Sequence, residues 1–292
     1  MKFVLSTDTS CDIPREELKQ LNISYIPLTY IINGQSFEDN FSTDEEFKGF
    51  YKLLRGGAIP KTSQINTQEH YDYFKSMIEN GAKNILHITL SGALSATYSA
   101  ACIAAQQLMQ EFDGTKIVIV DSRSSTYAVG FLVYQAKEFL DNGKDVDETA
   151  EVLNKTRTRL YVLAMTDDLS YVRRGGRISL AKAFIGTLLK IKPVFSIDRQ
   201  GALSVINKVK GTKSVFAYYV EQFKKLGIDP ENQKFYISHG DSGAAADELI
   251  EYLRENGFKG DVKKGFIGPV IGSHTGIGAL ILVFEANQER PE

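Results

Sequence analysis

Short apolar runs alternate with amphipathic stretches through the first half of the chain. Residues 2–7 read as a strand, and Asp12 is placed to cap a helix opening at Pro14, with Glu16 and Glu17 in its first turn. Residues 25–32 are rich in β-formers and end on Asn33-Gly34, a hairpin signal. Ser42-Thr43-Asp44-Glu45 reads as a capping box for a helix stopping at Gly56-Gly57, and Thr67 starts another that Asn80-Gly81 closes. Residues 84–89 form a strand, 95–112 an alanine-rich helix and 116–121 a buried strand, followed by helices over 126–142 and 146–158. This alternation predicts a mainly parallel sheet with helices on both faces.

The pattern changes after about residue 158. Strands are predicted over 160–166, 193–198 and 202–208, the last two joined by Arg199-Gln200-Gly201 as a hairpin. A helix over 212–226, a strand over 234–239, a helix over 243–256 and strands over 261–267 and 279–284 follow. The fold class is therefore α/β: an N-terminal α/β domain over 1–158 and a smaller two-layer α/β sandwich over 159–292. Without a Pro- or Ser-rich linker between them, the joint is expected to be packed, and such clefts commonly hold ligands.

Composition narrows the function. Of 292 residues 43% are hydrophobic and 24% charged, ordinary for a soluble globular protein. The net charge of −2 provides no sequence-wide basic field for nucleic acid or an acidic membrane. The first residues turn polar too soon for a signal peptide, and no apolar run approaches a spanning helix, so stable membrane insertion is not expected and a cytoplasmic location is. Two cysteines, Cys11 and Cys102, make neither a disulfide framework nor a cysteine metal site. Four histidines (His70, His87, His239, His274) without close spacing argue against any metal centre.

Candidate chemistry gathers in four places. Gly268 to Gly278 is a glycine-rich loop holding Ser273-His274-Thr275 just before an apolar strand, an imidazole between two hydroxyls suited to a small anion. The alternative is a conformationally demanding loop whose His274 only bonds a carbonyl. Ligands of open α/β sheets bind beyond the carboxyl ends of the strands. There Ser91-Gly92-Ala93-Leu94-Ser95 follows one strand, with Ser95 placed to cap the next helix, and Asp121-Ser122 ends another. Thr62-Ser63-Gln64 follows Pro60 in a predicted loop. For each hydroxyl a cap or turn bond is the competing role. Arg173-Arg174-Gly175-Gly176-Arg177 is a dense basic turn, either solvated surface or a site for phosphate or a partner's acidic face. Gly240-Asp241-Ser242-Gly243 spells a serine-protease tetrapeptide but joins a strand to a helix, where Asp241 or Ser242 serves as an N-cap. Gly272 to Gly278 lacks the Gly-Lys-Ser/Thr of a nucleotide loop.

Six segments in order resemble the DegV family of bacterial fatty-acid-binding proteins: Thr7 to Pro14, Thr62-Ser63-Gln64, Ser91 to Tyr98, Arg174 to Ile178, Lys192-Pro193 and Gly268 to Phe284. The resemblance implies a long-chain fatty acid such as palmitate as ligand, no cofactor, and a carboxylate bound by Thr62, Ser95 and His274. Ser63, Ser91, Gly92 and Thr275 belong to the same implied lipid-binding set. It further implies similarity to the binding subunit of a fatty-acid kinase, in which a separate ATP-using subunit forms an acyl phosphate for lipid metabolism and phospholipid synthesis. Arg173, Arg174 and Arg177 are then docking residues for that partner. An imidazole with its ordinary pKa of about 6.5 would switch charge there in the physiological range. Ala96 and Ile277 replace a glycine and a proline usual in the family, and Lys208 and Lys210 stand where arginine is common; these bear on chain-length preference or kinase pairing.

Two other classes compete with a non-catalytic lipid-binding protein. One is a hydrolase acting on a small acyl substrate through Ser95 or Ser63 with His274 as base; no third group to orient His274 and no Gly-x-Ser-x-Gly is evident. The other is a scaffold whose ligand is incidental.

Overall fold

The computed structural model describes residues 2–177 and 191–291, so Ile178 of the basic-turn motif lies outside the described residues. In chain order the first elements are β1 (Val4–Asp8), α1 (Arg15–Gln20), β2 (Ser24–Ile26), β3 (Thr29–Ile32), β4 (Gln35–Glu38), α2 (Asp44–Arg55) and β5 (Lys61–Ser63). Next come α3 (Thr67–Glu79), β6 (Asn84–Thr89), α4 (Thr97–Glu111), β7 (Lys116–Asp121), α5 (Tyr127–Asp141) and α6 (Val146–Thr156). The remainder runs β8 (Leu160–Met165), α7 (Leu169–Gly175), β9 (Ile191–Ile197), β10 (Leu203–Lys210), α8 (Thr212–Leu226) and β11 (Phe235–His239). It ends with α9 (Gly243–Glu255), β12 (Val262–Phe266), α10 (Pro269–Thr275) and β13 (Leu280–Glu285).

A parallel sheet of order β2-β1-β6-β7 has helices on both faces. Alternation along β6 sends Ile85 into a core with α3 and α4, and Leu86 and Ile88 into one with α5 and α6. The second sheet is mixed, of order β10-β9-β8-β13-β11-β12, with only β11 and β12 parallel. Its central strands are apolar throughout because both faces are covered. On β8 and β13, Tyr161, Leu163, Leu280 and Leu282 pack against α8 and α9, while Val162, Ile281 and Val283 share a core with α5. A third, antiparallel sheet β4-β3-β5 lies beside α2 and α10.

Several local expectations are corrected. Residues 25–32 are two strands in different sheets, split at Pro27, which has no N–H for a ladder. The capping box is Thr43 with Glu46, one residue later than expected. Asp12 does not cap α1; it is left-handed (φ 56°), and its carboxylate accepts the Gly268 N–H at 2.9 Å. Asp241 pairs with Arg55 at 2.7 Å, and Ser242, at the N-cap of α9, donates instead to the Ala279 carbonyl. Thr62 sits on a strand, opposite Tyr30, where a loop was expected: Lys-Thr-Ser has no apolar period, and only its partner β3 fixes it. The largest correction is α10, a seven-residue helix inside the predicted glycine loop, with Pro269 at its first turn and Gly276 (φ 76°) closing it.

Candidate functional site

Between the second sheet, the end of β5 and the loops after β6 and β7 lies a cavity of about 350 Å³. Its walls are mainly apolar: Val162 and Ala164 from β8, Phe195 and Ile197 from β9, Leu203 from β10, Ile281 from β13, Ile271 from α10 and Leu94 from the loop before α4. This is the size and character of a small-molecule site with a few converging polar groups. Those groups include Thr62, Ser63, Gln64, Ser95, Ser125, Thr166, Arg177, His274 and Thr275.

Thr62 and His274, 212 residues apart, are hydrogen-bonded, Oγ1 to Nε2 at 2.8 Å. The bond exists because β5 pairs with β3 and α10 ends beside both; His274 is in the last turn of α10 rather than in a loop. Nδ1 of His274 is buried and has no hydrogen-bond partner among the described residues. A hydrogen on Nδ1 would be an orphaned donor, which favours the tautomer with the hydrogen on Nε2, donating to Thr62. The Thr62 hydroxyl hydrogen is then free for a ligand.

Burial, aided by the nearby Arg177 guanidinium, pulls the His274 pKa down to about 4. The imidazole is thus neutral through the physiological range, which corrects the expected charge switch there. The two flanking hydroxyls are committed to the helix itself: Ser273 Oγ donates to the Pro269 carbonyl at 2.7 Å and Thr275 Oγ1 to that of Ile271 at 3.2 Å. Thr275 still lines the cavity; Ser273 does not.

Ser95 reaches the same cavity from the loop after β6. It is not the N-cap of α4, which is Ala96, but its Oγ accepts the Thr97 N–H at 3.3 Å and lies 3.0 Å from Thr97 Oγ1. Ser91 and Gly92 do not line the cavity. Ser91 is fully buried; its Oγ donates to the Gly201 carbonyl at 2.8 Å and accepts the Ala93 N–H, so it ties the β9–β10 turn to this loop. The Gly92 N–H points to the Asp121 carboxylate at 3.1 Å.

Beside the Thr62–His274 pair is a second depression of about 260 Å³, lined by Lys61 and Arg174 and sharing Thr62, Gly175, Arg177 and His274 with the inner cavity. Arg177 donates to the Gly175 carbonyl at 2.7 Å, and the Arg174 guanidinium stacks 4.7 Å from the Tyr171 ring centre. Arg173 is exposed on α7 and lines neither space.

The apolar walls carry no mark in the sequence. Alternation along β8 and β13 assigns residues to two faces but not which face borders a void. Ser125 and Thr166 are equally silent, each a polar residue at a strand or loop end with no distinguishing spacing, whereas Gln64 belongs to the Thr62-Ser63-Gln64 segment already singled out. Among the described residues no group of three or more His, Cys, Asp or Glu is placed to hold a metal, and no helix is long and apolar enough to cross a membrane.

Comparison with known proteins gives one consistent picture. A family model described as "Uncharacterised protein, DegV family" matches residues 2–287. A DegV domain-containing protein of Clostridium perfringens is 35% identical over 290 residues, 99% of each chain. Among solved structures, a Thermus thermophilus DegV-family protein described by its fatty acid binding superposes with a TM-score of 0.87 at 27% identity, over 98% of this chain and 100% of its own. DegV of Bacillus subtilis, described as a fatty acid binding protein, gives 0.83 at 27% identity over the same shares. With a family model over residues 2–287 and a relative 35% identical over nearly its whole length, the chain belongs to the DegV family.

Proposed function

We propose that the protein binds a long-chain fatty acid, palmitate or a similar acid, with the tail in the apolar cavity and the carboxylate at Thr62, Ser95 and His274, His274 acting through its hydrogen bond to Thr62. The observation that carries this reading is the Thr62–His274 hydrogen bond at the polar edge of that cavity. A fatty acid asks for apolar walls along its length and donors at one end, and the lining offers both. Burying about 14 methylenes at roughly 0.8 kcal/mol each contributes about 11 kcal/mol before the costs of binding, against about 1.5–3 kcal/mol for one charge-assisted hydrogen bond. The tail therefore dominates affinity and the polar groups fix the head. The fatty-acid binding described for the Thermus and Bacillus proteins supports the same ligand class.

The basic depression beside the head group supports presentation of the carboxylate to a separate ATP-dependent kinase subunit. Phosphoryl transfer depends mainly on positioning and charge stabilisation, and Lys61, Arg174 and Arg177 line the depression beside Thr62 and His274. Arg173, Arg174 and Arg177 are assigned to docking. A hydrolase reading has less support: the Ser95 hydroxyl lies against Thr97 rather than His274, and the His274 Nδ1 has no group to orient it among the described residues.

Native mass spectrometry of the purified protein tests the ligand. A co-purifying mass of a long-chain acid is expected; protein that neither carries nor takes up palmitate would sink the proposal. In a reconstituted pair, Arg173→Glu with Arg174→Glu, neither of which lines the inner cavity, is expected to keep palmitate binding and suppress acyl-phosphate formation. Undiminished phosphorylation would remove the basic turn from the mechanism.

A further inference from the structure

Thr97 is fully buried at the start of α4 and touches both walls of the head-group site. Its Oγ1 accepts the N–H of Ile65 at 3.3 Å, two residues beyond the end of β5, and lies 3.0 Å from Ser95 Oγ. With one lone pair taken by Ile65, the Thr97 hydroxyl has its own hydrogen to give, and Ser95 Oγ stands within reach to accept it. The reverse order would leave the buried Thr97 hydrogen with no acceptor among the described residues. Ser95 Oγ also accepts the Thr97 N–H, so both its lone pairs are filled from within the protein. The remaining capacity of Ser95 is a single hydrogen, and Ser95 lines the cavity.

We infer that Thr97 is a positioning residue that commits the Ser95 hydroxyl to donating into the cavity and ties it to the strand carrying Thr62, so that the site selects a head group that only accepts hydrogen bonds. An ionised carboxylate is such a group, whereas an alcohol also needs an acceptor. This assignment rests on the fatty-acid reading above and adds to it a residue with no access to the ligand. Bonds to ionised acceptors are about twice as strong as neutral ones, so loss of donor commitment weakens the acid far more than a neutral analogue.

The test compares Thr97→Val and Thr97→Ser with the wild type at pH 8, measuring dissociation constants for palmitate and for hexadecan-1-ol by displacement of a fluorescent fatty acid. T97V is expected to lose about tenfold for palmitate and no more than about twofold for the alcohol, with T97S returning palmitate to within about twofold. Equal losses for both ligands, which a merely structural role would give, overturn the assignment, as does wild-type palmitate affinity in T97V. Should T97V fail to fold, Thr97→Cys, whose thiol is a weaker donor, carries the same comparison with the same outcomes. Wild-type protein that binds neither ligand would overturn the fatty-acid reading and this assignment with it, whereas parallel losses in the variant overturn the assignment alone.

Discussion

A Cβ atom on Gly175 would lie 2.5 Å from Nδ1 of His274. Gly175 closes α7, and its missing side chain is the space in which the imidazole stands to reach Thr62. The obstacle is a ring rather than backbone, so Gly175→Ala is expected to leave the fold intact and push the ring off Thr62. Palmitate affinity should drop by about tenfold, the worth of one such polar contact, while hexadecan-1-ol binding changes little. Unchanged palmitate binding in a folded variant would detach His274 from the head-group role.

Removing one head-group hydroxyl should cost placement more than affinity. Thr62→Val and Ser95→Ala are each expected to retain most of the palmitate binding energy, losing about ten- to a hundredfold, because burial of the tail supplies most of it. If Ser95→Ala weakened the neutral alcohol as strongly as the acid, its assignment as a carboxylate donor would be wrong.

Ser91 has a different role, and its variants separate it from the head-group set. Ser91→Ala leaves the Gly201 carbonyl and the Ala93 N–H without their hydroxyl partner, which should cost about 1–3 kcal/mol in urea unfolding. The preference for palmitate over the alcohol should persist. Gly201→Ala should destabilise at least as much: at φ 89° its Cβ would stand 2.2 Å from Ser91 Oγ and 2.9 Å from the Arg123 Cα. A stable S91A variant that no longer distinguishes acid from alcohol would return Ser91 to the binding site.

Stability should respond to acid through two opposed sets of buried groups. Burial lowers His70, His239 and His274 to about 4 each, so the stability they contribute is full above about pH 6.5 and is lost as pH falls toward 4. Asp39 is raised to about 7 by burial, so it binds a proton more readily in the fold and favours the fold increasingly as pH falls from 7 to 3.8. Asp39→Asn keeps an acceptor for the Val270 N–H, 2.9 Å away, but removes that compensation. Its melting temperature should therefore decline more steeply than that of the wild type between pH 7 and 4, by on the order of 5 °C. Parallel curves for the two proteins would show that Asp39 does not titrate in this window.

The sequence by itself determined the α/β class, the helices on both faces of a parallel sheet, and the segments in which Thr62, Ser95 and His274 lie. Those are local matters: apolar period, caps and glycine signals act over a few residues, and even the helix over Pro269–Thr275 carried its marks, proline at the start and glycine at the end. The six ordered motifs also pointed to the family. Tertiary structure decided what no local signal encodes. Thr62 meets His274 because a three-residue strand finds β3, and Ser91 turns from ligand candidate to latch because Gly201, 110 residues away, comes within 2.8 Å. His274 is neutral because the fold buries it beside Arg177, not because of its neighbours in sequence. The cavity is likewise a property of two sheets together: Val162 and Ile281 read as ordinary strand residues until the opposing layer leaves space in front of them. Burial, proton position and empty volume depend on every element that surrounds a residue, and those elements are brought together only by folding.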